Sequence, residues 1–382
     1  MTIPFNKPYL TGLETKYIEQ AVKKGKISGN GDFTKLCQKY FSERYGFKKS
    51  LLTTSCTDAL EMSAILLDIQ PGDEVIIPSY TFVSTALAFV REGATIVFAD
   101  SRKSHPNIDT AQLESLVTER TKAIVVVHYA GVACDMDAVM DLADRHNLYV
   151  VEDAAQAVDS FYVGADGERR PLGSIGHLSA FSFHETKNII AGEGGLLGIN
   201  DERFVERAEI IWEKGTNRAQ FFRGEINKYG WVDTGSSFLP SEVTAAFLWA
   251  QLEQLDDIQG KRVALWERYD QNLRGAAIPG LALPVLPEHA TNNAHMYYVV
   301  CEDAGQRERL IMGLKERNIL SVFHYLSLHK SDYYADKHDG RDLPNSDVYT
   351  ERLVRLPLFY ELELTDVDSI TAAMQEVLNA EV

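Results

Sequence analysis

VVEDAAQ, residues 150–156, is the segment from which the architecture is best inferred, because an apolar run there ends in two carboxylates and small residues. FSFHETKN follows at residues 181–188, where a second apolar run ends in polar side chains that include a lysine. Continuous apolar runs of this length are typical of strands that are covered on both faces. Both segments are therefore predicted to contain the carboxyl end of a buried strand, where open α/β sheets bind ligands.

Five further apolar runs of the same kind accompany these two, and helical patterns separate several of them. The seven predicted strands are 50–54, 74–78, 95–100, 123–128, 148–152, 178–183 and 195–199. The predicted helices between them are 57–68, 84–92, 110–117 and 136–146. Strand–helix alternation predicts one mainly parallel seven-stranded sheet with right-handed crossovers.

The pattern changes in the C-terminal third of the 382-residue chain. Residues 241–273 are helical in pattern, and a connection rich in proline and polar residues follows at 278–293. Beyond it we predict strands at 296–301 and 320–325 and helices at 305–317 and 366–378. The sequence therefore predicts a large domain at 1–255 and a smaller α+β domain at 256–382.

Charge and composition exclude several classes of protein. The net charge of −17 disfavours sequence-independent binding of nucleic acid, because phosphate contacts need a cationic face. The four cysteines are scattered, without metal-site spacing, which favours reduced thiols and a cytoplasmic protein. The first 20 residues lack the pattern of a signal peptide, and apolar runs such as 123–127 are too short to span a membrane.

Asp153 and Lys187 each follow a predicted strand, so they can converge on one small ring. Pyridoxal phosphate (PLP) requires such a pair, since a lysine amine bonds to its aldehyde and a carboxylate keeps its pyridine nitrogen protonated. A lysine displaced by the incoming amine can then carry a proton. We therefore predict PLP as the cofactor and Lys187 as the catalytic residue.

The cofactor's phosphate would need an anion site, and TTSCTDA at 53–59 joins a predicted strand to a helix. Free N–H groups and the positive end of the helix dipole favour an anion there, with hydroxyls from Ser55, Thr57 and Ser182. Phe82 is a candidate to stack on the pyridine ring. Each feature alone has a simpler interpretation: a surface lysine, a helix cap or a core aromatic. Their order along the chain, each at a strand end, favours the cofactor site.

Several motifs together resemble the DegT/DnrJ/EryC1/StrS aminotransferase family. They are TTSCTDAL (53–60), IPSYTFVSTA (77–86), EDAAQ (152–156), FSFHETKN (181–188) and GEGG (192–195), and the resemblance extends nearly from end to end. It implies a PLP fold-type-I, aspartate aminotransferase-like α/β architecture. It also implies a homodimer with shared active sites and L-glutamate as amino donor.

Carried over residue by residue, the resemblance makes Lys187 the lysine that bonds the cofactor and Asp153 the partner of the pyridine nitrogen. It further implies Gln156 near the phenolic oxygen, Phe82 on the ring, and Cys56, Thr57 and Ser182 at the phosphate. Tyr325 and His329 are implied near the sugar nucleotide. Ser237 stands where many members carry an asparagine that reaches the partner subunit's phosphate, and its side chain is shorter. Relatives that dehydrate instead of transaminating have histidine in place of the lysine, which Lys187 argues against.

Within the family, the segments 128–137, 214–224 and 234–242 are most similar to members that form dTDP-4-amino-4,6-dideoxygalactose. The likeness implies dTDP-4-dehydro-6-deoxyglucose and L-glutamate as substrates, 2-oxoglutarate as co-product, and a role in lipopolysaccharide or common-antigen biosynthesis. Amination at C3, or at C4 with gluco configuration, stays open because the cofactor residues are the same for each.

Two other classes are weighed against this hypothesis. A nicotinamide oxidoreductase would need a G-x-G-x-x-G turn after an early strand, and none is present. A non-catalytic PLP-binding regulator remains an alternative, although no DNA-binding segment is visible and the charge is unsuitable. No metal is expected, because H-E-x-x-H requires histidine at position 188, which is asparagine.

Overall fold

A seven-stranded sheet forms the centre of the computed structural model, which describes residues 2–165 and 167–379. The strands in chain order are β1 (Lys49–Thr53), β2 (Glu74–Pro78), β3 (Thr95–Ala99), β4 (Thr121–Val127), β5 (Tyr149–Asp153), β6 (Phe161–Val163), β7 (Arg169–Pro171), β8 (Leu178–Ser182), β9 (Gly195–Ile199), β10 (Tyr297–Val300) and β11 (Leu353–Leu356). The sheet order is β1-β9-β8-β5-β4-β2-β3. β9 runs opposite to the other six strands of this sheet, and all pairs that do not include β9 are parallel, so the predicted mainly parallel arrangement is confirmed.

Helices cover both faces of this sheet and build the C-terminal region. In chain order they are α1 (Glu14–Lys23), α2 (Asp32–Tyr45), α3 (Cys56–Leu66), α4 (Val83–Arg91), α5 (Met136–His146), α6 (Val205–Trp212), α7 (Arg218–Phe222), α8 (Glu242–Leu252), α9 (Leu255–Ala276), α10 (Ala304–Glu316), α11 (Pro344–Arg352) and α12 (Leu364–Asn379). No helix among the described residues is both long and apolar enough to cross a membrane.

Strand residues alternate between two hydrophobic clusters on opposite faces of the sheet. Ile124 packs into the cluster that includes residues of α2, α5 and α8. Its neighbour Val125 packs into the cluster that includes residues of α3, α4 and α6. Both faces are therefore buried, which explains why the strands read as continuous apolar runs in the sequence.

The C-terminal region has a third cluster, built on the antiparallel pair β10–β11 and on α10 and α12. Helix α9 contributes to two clusters. Leu255 and Ile258 at its start belong to the α2–α8 face of the sheet, whereas Leu265 and Tyr269 belong to the third cluster. One helix thus links the two regions, and the domain boundary at 255/256 stays a prediction.

One detail of the predicted C-terminal pattern is wrong: residues 320–325 do not form a strand. The partner of β10 is β11, not the predicted strand 320–325, which makes a single isolated bridge between Val322 and Arg355. Beyond that bridge the chain carries Tyr325 into a cavity. Residues 241–273, predicted to be helical, form two helices, α8 and α9, which are separated at Glu253 and Gln254.

Candidate active site

A cavity of about 400 Å³ lies at the carboxyl ends of β5 and β8, which are neighbours in the sheet. Most of the predicted site residues line it: Cys56, Thr57, Phe82, Asp153, Gln156, Ser182, Lys187 and Tyr325. Because parallel neighbours end at the same edge, the residue that closes β5 and the turn after β8 meet there. The cavity is of a size that suits a small organic ligand.

Asp153 is the last residue of β5 and is buried. Its carboxylate accepts hydrogen bonds from Thr85 Oγ1 at 2.7 Å and from the backbone N–H of Ala155 at 3.1 Å. Burial raises the pKa of Asp153, and the Thr85 hydrogen bond opposes that rise. The carboxylate is therefore held in one orientation at the cavity wall, with donors that favour its ionised form.

Lys187 lies in the turn after β8, where its backbone N–H donates to the carbonyl of His184 at 2.9 Å. Burial lowers the pKa of its amine, although Cys56 and Asp153 act in the opposite direction. A lower pKa increases the neutral fraction of the amine, which is the form that attacks an aldehyde. The side chain lines the same cavity as Asp153.

The amino-terminal end of α3 forms another part of the wall. Ser55 caps this helix by accepting a hydrogen bond from the N–H of Asp58 at 3.1 Å. Gly195, the first residue of β9, lies so close that a Cβ there would be 2.5 Å from the backbone N of Cys56. Thr57 Oγ1 lies 2.8 Å from Ser84 Oγ. A helix end with free N–H groups and hydroxyls is suited to an anion such as a phosphate.

Gln156 and two aromatic residues shape the remaining wall. Gln156 Oε1 accepts from the N–H of Ala130 at 2.6 Å, and its Nε2 donates to the Tyr325 hydroxyl at 2.9 Å. These two bonds fix the orientation of the amide. The rings of Phe82 and Tyr325 have centroids 6.0 Å apart.

Thr85, His295, His324 and Arg355 line the cavity and were not predicted. His295 belongs to a buried network in which its Nδ1 lies 2.9 Å from Asn188 Oδ1. Asn188 Nδ2 donates to Gln259, so its oxygen faces the histidine and Nδ1 carries the proton. Burial lowers the pKa of His295 well below its ordinary value, which favours the neutral form of the ring. One signal for Arg355 was available: it is a lone charge in the apolar run 353–358.

Two predicted residues lie outside the wall of this cavity. His329 is buried, with its Nδ1 2.7 Å from Ser79 Oγ and its Nε2 3.6 Å from Asp347. Ser237 is exposed and forms an isolated bridge with Glu213. Among the described residues, no group of three or more His, Cys, Asp or Glu side chains is arranged to hold a metal ion.

The class of the protein follows from this arrangement: a lysine and an aspartate at adjacent strand ends of a mainly parallel sheet, beside a helix end, are the features of a fold-type-I PLP enzyme. Comparison with known proteins identifies the family. The DegT/DnrJ/EryC1/StrS aminotransferase family matches residues 8–375, and the chain belongs to it. It is a PLP-dependent sugar aminotransferase.

Individual relatives are similar over nearly the whole chain. The spore coat polysaccharide biosynthesis protein SpsC of Bacillus subtilis (strain 168) is 34% identical, over 98% of this chain and 97% of SpsC. The aminotransferase TlmJ from Streptoalloteichus hindustanus is 30% identical with a TM-score of 0.91, over 100% of both chains. Spr1654 from Streptococcus pneumoniae, in its PLP form, is 25% identical with a TM-score of 0.90, also over 100% of both chains.

Proposed function

We propose that the enzyme transfers the amino group of L-glutamate to C4 of dTDP-4-dehydro-6-deoxyglucose, giving dTDP-4-amino-4,6-dideoxygalactose and 2-oxoglutarate. The proposed amino-group transfer is supported above all by one observation: Asp153 and Lys187 line the same cavity, beside the amino-terminal end of α3. The substrate part is supported by the sequence similarity of residues 128–137, 214–224 and 234–242 to members with that activity.

The residues present fit PLP. We assign the phosphate to the end of α3, where Cys56, Thr57 and Ser182 line the cavity and where Gly195 lets β9 pack directly against the backbone of Ser55 and Cys56. Asp153 would pair with the pyridine nitrogen and Lys187 would bond to the aldehyde. Each functional group of PLP would thus have a suitable partner in the protein. The cavity wall also provides the aromatic rings of Phe82 and Tyr325.

When bound, PLP supplies an aldehyde that takes up the amino group and a ring that draws electrons from the substrate carbon. Lys187 then moves a proton at that carbon, since its lowered pKa makes a neutral amine accessible. Asp153, held by the Thr85 hydroxyl, would supply the negative charge that pairs with the pyridine nitrogen. Gln156 and Phe82, which line the cavity, would help to orient the cofactor ring.

We also propose a homodimer whose partner subunit completes each active site. Ser237 is exposed and belongs to a segment that also exposes large aromatic side chains: Trp231 is 85% exposed and Phe222 is 68% exposed. Exposed aromatic patches of this kind are typical of protein interfaces. A cytoplasmic location is proposed as well, and the four free cysteines suit a reducing compartment.

The experiment that tests the substrate and the regiochemistry is determination of the product structure by NMR after incubation with dTDP-4-dehydro-6-deoxyglucose and L-glutamate. The proposal predicts nitrogen at C4 in the axial orientation of the galacto configuration. An equatorial C4 amine or an amine at C3 would refute the assigned substrate chemistry but leave the aminotransferase class intact. A homodimer predicts twice the mass of the 42.8 kDa chain in solution.

A further inference from the structure

His295 lies beside Lys187 on a backbone that is held from two sides. Its N–H donates to Asn293 Oδ1 at 3.0 Å, and its carbonyl accepts from the buried guanidinium of Arg262 at 2.8 Å. The ring is bonded through Nδ1 to the side chain of Asn188, the residue that follows Lys187. The imidazole is therefore fixed next to the backbone from which the Lys187 side chain extends to the cavity.

The hydrogen bonds of Asn188 decide which nitrogen of His295 carries the proton. Asn188 Nδ2 donates to Gln259 Oε1 at 2.8 Å and to the carbonyl of Asn293 at 2.9 Å, so both of its N–H groups are used. Asn188 Oδ1 is left to accept from His295, which places the proton on Nδ1 and a lone pair on Nε2. Burial lowers the pKa of His295, and Lys187 adds more to that lowering than any other charged group, which favours an unprotonated Nε2.

His295 and Lys187 thus bring complementary groups to the wall of one cavity. Within residues 2–165 and 167–379, neither Nε2 of the histidine nor Nζ of the lysine makes a hydrogen bond. His295 is only 5% exposed, so water offers its Nε2 few partners. A buried acceptor beside an unpaired donor is satisfied by a hydrogen bond between the two.

We propose that His295 is a positioning residue: its Nε2 accepts a hydrogen bond from Nζ of Lys187 and so sets the direction of the lysine lone pair. This rests on the function proposed above. When Lys187 takes a proton from the substrate carbon, the C–H bond breaks, an N–H bond forms on Nζ, and the electron pair stays with the carbon. His295 keeps its own proton on Nδ1 throughout. It acts by restricting rotation about the last bond of the lysine, which the incoming amine has freed.

Two substitutions separate the two nitrogens of His295. In His295→Asn the amide can still donate to Asn188 but offers no acceptor at the position of Nε2. In His295→Gln the amide can reach that position but no longer pairs with Asn188.

With PLP-loaded enzyme and saturating L-glutamate, His295→Asn lowers the rate of amino transfer roughly 10- to 100-fold, the usual effect of losing a charged hydrogen bond. Transfer from the aminated enzyme to the keto-sugar falls by the same factor, because Lys187 acts in both half-reactions. His295→Gln recovers part of both rates. His146→Asn, at a histidine of α5 that pairs with Glu114, is the control and leaves both rates unchanged.

Two readouts distinguish positioning from a purely structural role. L-Glutamate with deuterium on its α-carbon gives a larger isotope effect in His295→Asn than in wild type, since proton transfer is slowed relative to the other steps. The second readout needs no turnover: visible absorbance follows the uptake of PLP by cofactor-free enzyme at a series of pH values.

Uptake becomes faster as the Lys187 amine loses its proton, and this rise occurs at lower pH in His295→Asn. The sign follows because an acceptor favours the ammonium form, so that its loss lowers the pKa of Lys187. The other groups that act on this pKa, Cys56, Asp153 and Arg355, are the same in both proteins.

A wild-type isotope effect and a wild-type pH dependence of PLP uptake in His295→Asn would overturn the role of His295, whether or not the Tm falls. Equal losses in His295→Asn and His295→Gln would also overturn it, since they would reflect damage to the packing. Wild-type enzyme that accepts an amino group from no amino acid would refute the proposed function and the role of His295 together.

Discussion

Thr85 Oγ1 donates a 2.7 Å hydrogen bond to Oδ2 of Asp153, so a hydroxyl on α4 holds the carboxylate that closes β5. A second donor, the N–H of Ala155, occupies the other oxygen. The Asp153 carboxylate is therefore positioned by two hydrogen-bond donors. Both donors favour its ionised form although the side chain is buried.

Thr85→Val removes that hydroxyl while keeping the shape of the side chain. Burial raises the pKa of Asp153 and the Thr85 bond lowers it, so the pKa rises further in the variant. Activity that needs the ionised acid is then lost at a higher pH on the acid side, and kcat at neutral pH falls about 10-fold. A kcat–pH profile measures both effects, with Thr365→Val as the matched control; an acid limb that does not move contradicts this role for Thr85.

Asp153→Asn keeps the size of the side chain but removes its charge. The variant is expected to bind PLP at saturating concentrations yet to lose about 100- to 1,000-fold in kcat, as when a group that stabilises developing charge is removed. Single-turnover absorbance with L-glutamate measures the loss. Near-normal turnover would show that the ring nitrogen has a different partner.

Gly195→Ala tests the close approach of β9 to the end of α3. The added Cβ would lie 2.5 Å from the backbone N of Cys56, so one of the two elements must shift. We expect a loss of about 1–3 kcal/mol in unfolding free energy and a weaker affinity for PLP. Equilibrium dialysis against PLP measures the affinity. Gly260→Ala, where a Cβ meets nothing within 4 Å, is the control; equal PLP affinity in both variants contradicts the phosphate assignment.

Glu152→Gln tests the stability of the strand end behind the site. Glu152 accepts from His128 Nε2 at 2.8 Å and from three backbone N–H groups, at Gly173, Ile175 and Gly176. Burial raises its pKa, but the His128 bond and the backbone donors outweigh burial and lower it overall. We expect the variant to lose about 3–5 kcal/mol of unfolding free energy at neutral pH.

The pH dependence of that loss has a definite sign. Because the pKa of Glu152 is lower in the folded protein, its contribution is complete above the unfolded-state pKa, near 4.5, and is lost as the pH falls through the folded-state pKa. Denaturant titrations at several pH values should therefore bring the variant and wild type closer together in acid. Glu376→Gln, at an exposed ion pair, is the control. A constant difference at all pH values would contradict the account.

The sheet and the core of the site were predictable because their signals are local. Each strand is buried on both faces and reads as an apolar run, and Asp153 and Lys187 stand where such runs end. The segment 320–325 carries apolar residues at strand-like spacing, but Leu320 and Phe323 are exposed in an extended loop, which the pattern cannot distinguish from a paired strand. Arg355 and Thr85 lie on elements distant in the chain from Asp153 and Lys187, so only the fold shows that they line the same cavity.

The most direct test of the central claim is to reduce the PLP-loaded enzyme with borohydride, digest it and locate the modified peptide by mass spectrometry. The account predicts one cofactor mass on Lys187, and the loss of both this label and the visible absorbance of the bound cofactor in Lys187→Ala. A label on a different lysine, or none at saturating PLP, would contradict it.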